Sequence, residues 1–163
     1  MIKDSGERTQ FETGAVRDVQ SLVKGRCDLL PLDVISSCVS CEASDILRYI
    51  DTFQATGKPE YLLDALETFR IIRGWDKPTM ILEVAIHMGE GCAKYGERNW
   101  QKGIPLSRYV DSGARHFLKW MRGDDDEPHD RAFCWNIICG IWTCWHLPEL
   151  NDYKEGWSWE KEK

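Results

Sequence analysis

The stretch Ala132-Phe133-Cys134-Trp135-Asn136-Ile137-Ile138-Cys139-Gly140-Ile141-Trp142 is apolar on every side except at Asn136. A helix of that kind has no face to offer water, so it belongs at the centre of a bundle. It falls short of the roughly 20 residues that cross a bilayer, and no longer apolar run exists in the chain, which predicts no membrane span. The other helices must therefore wrap around this one. A chain of 163 residues can do so in one domain with a full core.

The rest of the sequence supplies those helices. Around and after Pro31, apolar residues recur at helical spacing as Leu30, Val34, Ile35 and Val39. Ser44-Asp45 is placed to cap a helix carrying Ile46, Leu47, Ile50 and Phe53 that stops near Gly57. Pro59 opens a helix ending at Gly74, and Pro78 opens a longer one running to Tyr95. Ser107 is placed to cap a helix to Gly123, and the last long helix spans about Glu127 to His146, with Pro148 after it. No segment alternates with period two for long, so the fold class is all-α: a helical bundle with a buried central helix. Residues 1–28 read as an extended N-terminal arm, 29–150 as a single catalytic domain and 151–163 as a charged, loosely attached tail in which Trp157 and Trp159 could dock.

The net charge of −6 argues against binding a nucleic-acid polymer, which needs a dense basic surface. It leaves room for a nucleotide enzyme in which acidic residues recruit a divalent cation. The N-terminus has no apolar signal segment, and seven cysteines set mainly in apolar surroundings read as reduced thiols, so a cytoplasmic location is expected. Cys38-x-x-Cys41 has the spacing of half a zinc knuckle, but no second pair follows.

The chemistry concentrates around the start of the buried helix. The run Asp124-Asp125-Asp126-Glu127 is partly ordinary helix-start chemistry, because acids there meet free N–H groups and the positive dipole end. Asp130, one turn inside and beside a wholly apolar run, is not explained that way. It shares a face with Glu127 and needs a cation or an ion-pair partner. Asn136 lies two turns beyond His129 on the same face and is either a satisfied core amide or a reader of a base edge. The preceding helix presents Asp111 and Arg115, with Ser112 and His116 beside them; a hairpin turning at Gly123 would set Asp111 and His116 opposite Glu127 and Asp130. Glu83, His87, Glu90 and Lys94 form one polar stripe that is either solvated or faces inward to complete a metal cluster. The loop from Lys94-Tyr95 through Trp100 to Lys102 mixes cations, an amide and aromatics, a composition suited to phosphates and a stacked base.

Several separated blocks then occur together in order. They are Phe11 to Asp18, Lys24-Gly25-Arg26 with Asp28-Leu29-Leu30-Pro31, Lys94 to Trp100 with Lys102-Gly103, Arg108-Tyr109 with Asp111-Ser112, Arg115-His116, Gly123 to Ala132, and Trp135-Asn136. Over residues 4–150 this set resembles the phage and prophage dATP/dGTP diphosphohydrolase family, the MazZ-type domain, and more distantly the all-α MazG-like nucleoside triphosphate pyrophosphohydrolases. The stretch from about 42 to 75 then looks like an inserted helical pair. The resemblance implies an all-helical fold, two or three Mg²⁺ or Mn²⁺ ions, a homo-oligomer, and cleavage of a purine deoxynucleoside triphosphate to monophosphate and pyrophosphate. It also implies that Glu127-x-x-Asp130 is one metal-binding pair. No Glu-x-x-Glu precedes it at the family's spacing, so either Asp111 or Glu83 with Glu90 supplies the other half.

The expected roles follow. Glu127, Asp130 and Asp111, or Glu83 and Glu90, hold metal; a remaining carboxylate or His129 is the base; Lys94, Lys102 and Arg115 neutralise phosphate; Tyr95 and Trp100 stack on the purine, and Asn136 reads it. Two other readings use the same residues. One is an HD-type dGTP triphosphohydrolase built on His129-Asp130, and the other is a helical module that binds nucleotide or protein without turnover.

Overall fold

The computed structural model describes residues 6–19, 24–39 and 42–153. Among them the chain forms a short antiparallel hairpin, β1 (Arg8–Gln10) and β2 (Val16–Asp18), and six α-helices: α1 (Leu32–Cys38), α2 (Ala43–Thr56), α3 (Glu60–Arg73), α4 (Lys77–Tyr95), α5 (Leu106–Arg122) and α6 (His129–His146). The fold is all-α, as the periodicity predicts.

The buried helix is where the sequence puts it. In α6, Phe133, Cys134, Asn136, Ile137, Cys139, Gly140 and Ile141 are buried, and α3, α4 and α5 all pack on it. An aromatic cluster ties three of these helices together. Phe69 of α3 lies 4.6 Å from Phe133 of α6 and 6.1 Å from Phe117 of α5, ring centre to ring centre, with Trp120 5.0 Å away at an edge. Such rings combine large buried area with favourable edge contacts. Cys134 and Cys139 are buried free thiols.

The helix stops follow the glycines: Gly57, Gly74 and Gly123 each close a helix in the left-handed conformation. The starts differ from those the capping residues predict. Pro78 sits in the first turn of α4, as predicted, and Asp76 caps it, its side chain accepting from the Thr79 N–H at 2.7 Å. Ser44 and Ser107 lie inside α2 and α5, whose caps are Glu42 and Pro105. The Ser107 N–H is met instead by the Asp152 carboxylate at 2.8 Å. Residues 27–29 form a separate 3₁₀ turn ahead of α1, and α6 begins at His129 rather than Glu127.

The N-terminal arm is more structured than its composition suggests. Arg8, Thr9 and Gln10 pair with Asp18, Arg17 and Val16. The side-chain amide of Asn99 then imitates a third strand, accepting from the Val16 N–H at 2.9 Å and donating to its carbonyl at 2.7 Å. The start of the tail is also packed: Asn151 donates to the Gly57 carbonyl at 2.9 Å, and Tyr153 stands edge-on to Phe53. Cys41, Trp157 and Trp159 lie outside the described residues. No described helix is long and apolar enough to cross a membrane.

Candidate functional site

A cavity of about 1140 Å³ opens between the hairpin, α4, the loop after it, and α5. Its walls differ in chemistry. Tyr95, Trp100 and Trp135 give it aromatic surface; Arg17, Arg98, Arg108 and Arg115 give it positive charge; Asp126, Glu127 and His116 stand together on one side.

That last group is built by the turn between α5 and α6. His116 sits in the second half of α5 and His129 opens α6, so the turn at Gly123 brings the two imidazoles together, tilted by 38° with their Nδ1 atoms 3.0 Å apart. Glu127, in the connecting loop, brings Oε1 to 3.7 Å from His116 Nδ1 and 3.8 Å from His129 Nδ1. Burial, reinforced by His129, holds the pKa of His116 well below its ordinary value, so its contact with Glu127 is not an ion pair. On its other side, His129 Nε2 lies 2.7 Å from Asp126 Oδ1, and Lys119 reaches the same carboxylate at 3.1 Å. One ligand atom each of His116, Glu127 and His129 lies within 4.8 Å of the other two, a donor set that suits a metal ion.

The other expected metal ligands do not join this trio. Among the described residues, no atom of Asp111, Asp130, Glu83 or Glu90 belongs to a group of three such ligands. Asp130 points to α3, where Arg73 Nε donates to it at 2.9 Å. Asp111 is buried against the arm, accepting from the Cys27 N–H at 2.7 Å and from Arg115. The stripe on α4 faces inward, but Arg131 of α6 occupies it, 3.8 Å from Glu83 and 3.7 Å from Glu90. His87 of that stripe is buried beside Trp135, and loss of hydration lowers its pKa to about 4.

The expected phosphate and base groups divide as well. Arg115, Tyr95, Trp100 and Asn136 line the cavity. Lys94 instead pairs with Asp18 at 2.7 Å, and the Tyr95 hydroxyl donates to the other oxygen of the same carboxylate at 2.7 Å, so both residues clamp β2. Lys102 is exposed on the turn 99–102 and is not part of the cavity wall. Asn136 accepts from Arg17 at 2.5 Å and donates to the Ala132 carbonyl of its own helix at 2.8 Å.

Arg17 is the residue that sequence reasoning passes over. Its guanidinium lies over the rings of Tyr109 and Trp135, and its Nη1 is buried with no hydrogen-bond partner among the described residues. Desolvation lowers its pKa, yet a guanidinium so far above neutrality stays a cation. A half-buried cation held by rings and one amide, with a donor unspent, suits an anionic ligand. Its only signal in the sequence is the block Ala15 to Asp18, which carries no motif of its own.

Neither curated proteins nor solved structures provide a match to this chain. A family model does: residues 54–153, more than half of the chain, match dATP/dGTP diphosphohydrolase, N-terminal. The matched stretch carries His116, Glu127 and His129, while Arg17 lies before it. The chain thus belongs to the dATP/dGTP diphosphohydrolase N-terminal domain family.

Proposed function

We propose that this chain hydrolyses dATP or dGTP to the monophosphate and pyrophosphate with the help of a divalent cation, Mg²⁺ or Mn²⁺, as a nucleotide-pool enzyme of phage type. The observation that carries the reading is the cavity itself, in which aromatic, cationic and metal-ligating walls meet in one space of nucleotide size. The family description names the same substrates.

The roles follow from position. Trp100 and Tyr95 are the aromatic residues at the cavity wall for the purine, and Arg17, Arg108 and Arg115 offer guanidinium groups to the triphosphate. Water adds to the α-phosphorus as the bond from it to the α–β bridging oxygen breaks, and pyrophosphate leaves with its charge met by those cations. Asp126, at the cavity wall, is the carboxylate placed to take the water's proton. A divalent cation held at Glu127 would neutralise phosphate charge and acidify the attacking water. Asp111 acts from behind by orienting Arg115.

The rival readings have less support. His129 faces His116 whereas Asp130 faces Arg73, so the His-Asp dyad of an HD-type enzyme does not converge. A homo-oligomer remains part of the proposal, supported by Ile81, Leu82 and Ile86, which expose apolar side chains on α4. Incubating the pure chain with each deoxynucleoside triphosphate and Mg²⁺ or Mn²⁺, with products separated by ion exchange, tests the reaction. Pyrophosphate and a purine monophosphate are expected. Tripolyphosphate with a deoxynucleoside would replace this reading with the HD type, and binding without turnover would replace it with a sequestering module.

A further inference from the structure

We infer that His116, His129 and Glu127 form a site for a first-row transition ion, with two imidazole nitrogens and one carboxylate oxygen as ligands, that prefers such an ion to Mg²⁺. The inference rests on the reading above for its purpose, since it identifies by class the cation which that reaction would use. Its geometry stands independently.

The geometry begins with the proton on each imidazole. His129 Nε2 is 2.7 Å from the Asp126 carboxylate, which can only accept, so that nitrogen carries the proton and Nδ1 of the same ring is left with its lone pair. A carboxylate behind a histidine in this manner fixes the ring's tautomer and aim, as it does behind metal-bound histidines. The lone pair faces His116 Nδ1 at 3.0 Å, so without an ion His116 donates across that gap. With its proton on Nε2 instead, neutral His116 would leave both Nδ1 lone pairs free to hold a cation, with no change in the charge of either ring.

The separations suit such an ion. A cation about 2.1 Å from each ligand sets the ligands about 3.0–3.6 Å apart. The three distances here are 3.0, 3.7 and 3.8 Å, so shifts of a few tenths of an ångström complete the set. His129 is 2% exposed and locked in the core, which gives the site one rigid member. Glu127 and His116 line the cavity, so the remaining coordination positions face the space where a triphosphate would lie. Imidazole nitrogen suits Mn²⁺, Co²⁺ and Zn²⁺ increasingly along the series, whereas Mg²⁺ takes oxygen and retains its waters.

Cobalt provides a readout independent of turnover, because nitrogen ligation of Co²⁺ produces visible d–d absorption. Titrating the full chain with Co²⁺ should saturate at one ion per chain, with a band that Zn²⁺ removes and millimolar Mg²⁺ does not. Glu127→Gln, a change in the loop, should weaken Co²⁺ affinity about 10-fold or more, and His116→Gln should abolish the band, with helical circular dichroism retained in both. Absence of a band, its removal by Mg²⁺, or an unchanged band in both variants would overturn the site. Purine triphosphate hydrolysis that runs with Mg²⁺ equally in parent and His116→Gln would also overturn it while leaving the proposed reaction standing. Tight Co²⁺ binding in a chain that hydrolyses no nucleotide would support the site and refute the reaction.

Discussion

Arg17 on β2 donates to the side-chain carbonyl of Asn136 on α6 at 2.5 Å, across 119 positions of sequence. Asn136, the polar residue within the apolar stretch 132–142 of α6, thus anchors an arginine that the hairpin sets against the bundle. The contact fixes the arm over the cavity and holds a cation at its wall, with no carboxylate paired to it among the described residues.

Replacing that cation should therefore cost function more than fold. Arg17→Met retains the apolar stem that packs against Tyr109 and Trp135 but removes the charge. Hydrogen bonds to charged groups contribute about 1.5–3 kcal/mol, so kcat/KM for a purine triphosphate should fall on the order of 10- to 100-fold. Steady-state kinetics alongside a thermal melt would check it; an unchanged kcat/KM with an intact fold would remove Arg17 from the site.

The hairpin depends on Asn99 in a different way. Asn99→Ala deprives Val16 of partners for both its N–H and its carbonyl, at a cost of about 1–3 kcal/mol for each group left buried. We expect a lower urea midpoint and faster proteolytic cleavage within residues 6–19. A variant as resistant as the parent would mean that the β1–β2 pairing alone holds the arm.

Asp130 shows what the sequence can and cannot disclose. Its position beside an apolar run marks it as a carboxylate in need of a partner, and that reasoning is sound. The partner is Arg73, 57 positions earlier, on a helix whose neighbours cannot be read from local spacing. The same limit applies to Arg17, whose rings and amide arrive from α5 and α6. The parts governed by local rules were legible: glycine stops, the inward face of α2, the all-round apolar α6, and the hairpin turn that sets His116 opposite Glu127; the short α1 was not, since it buries Leu32 and Ser36 and exposes Val34. The strands were not, since three residues are too few for an alternating pattern to register.

Asp130→Asn should accordingly retain metal-dependent turnover and lose no more than about 1 kcal/mol of stability, the range of a partly solvated ion pair. Arg73→Met should lose a similar amount, and the double variant should lose less than the sum. Abolished turnover in Asp130→Asn with normal turnover in Arg73→Met would return Asp130 to the metal site.

The exposed apolar side chains on α4 carry a prediction about assembly. Light scattering after size exclusion should find the parent as an oligomer and Leu82→Glu with Ile86→Glu as a smaller species, since a buried charge without a partner opposes association. Identical masses for both would detach this face from any contact between copies.

His87 makes stability fall in acid, and the sign can be worked out. Folded, its pKa is about 4, lowered first by burial, with Arg131 and Arg17 opposing protonation and Glu90 favouring it. In the unfolded chain it returns to an ordinary value near 6.5. Between those two values the unfolded state binds a proton that the folded state does not, so stability declines as pH drops from about 6.5 towards 4 and is unaffected above that range. The full effect is about 3 kcal/mol. His116, lowered in the same direction, adds to the decline. His87→Met fills similar volume beside Trp135 and binds no proton. Urea midpoints of parent and variant should therefore agree most closely in slope near pH 7 to 8 and diverge below pH 6, the variant losing about 2 kcal/mol less by pH 4.5. Parallel curves across the whole range would show that His87 is already protonated in the folded chain, which a 7% exposed imidazole beside an indole ring does not favour.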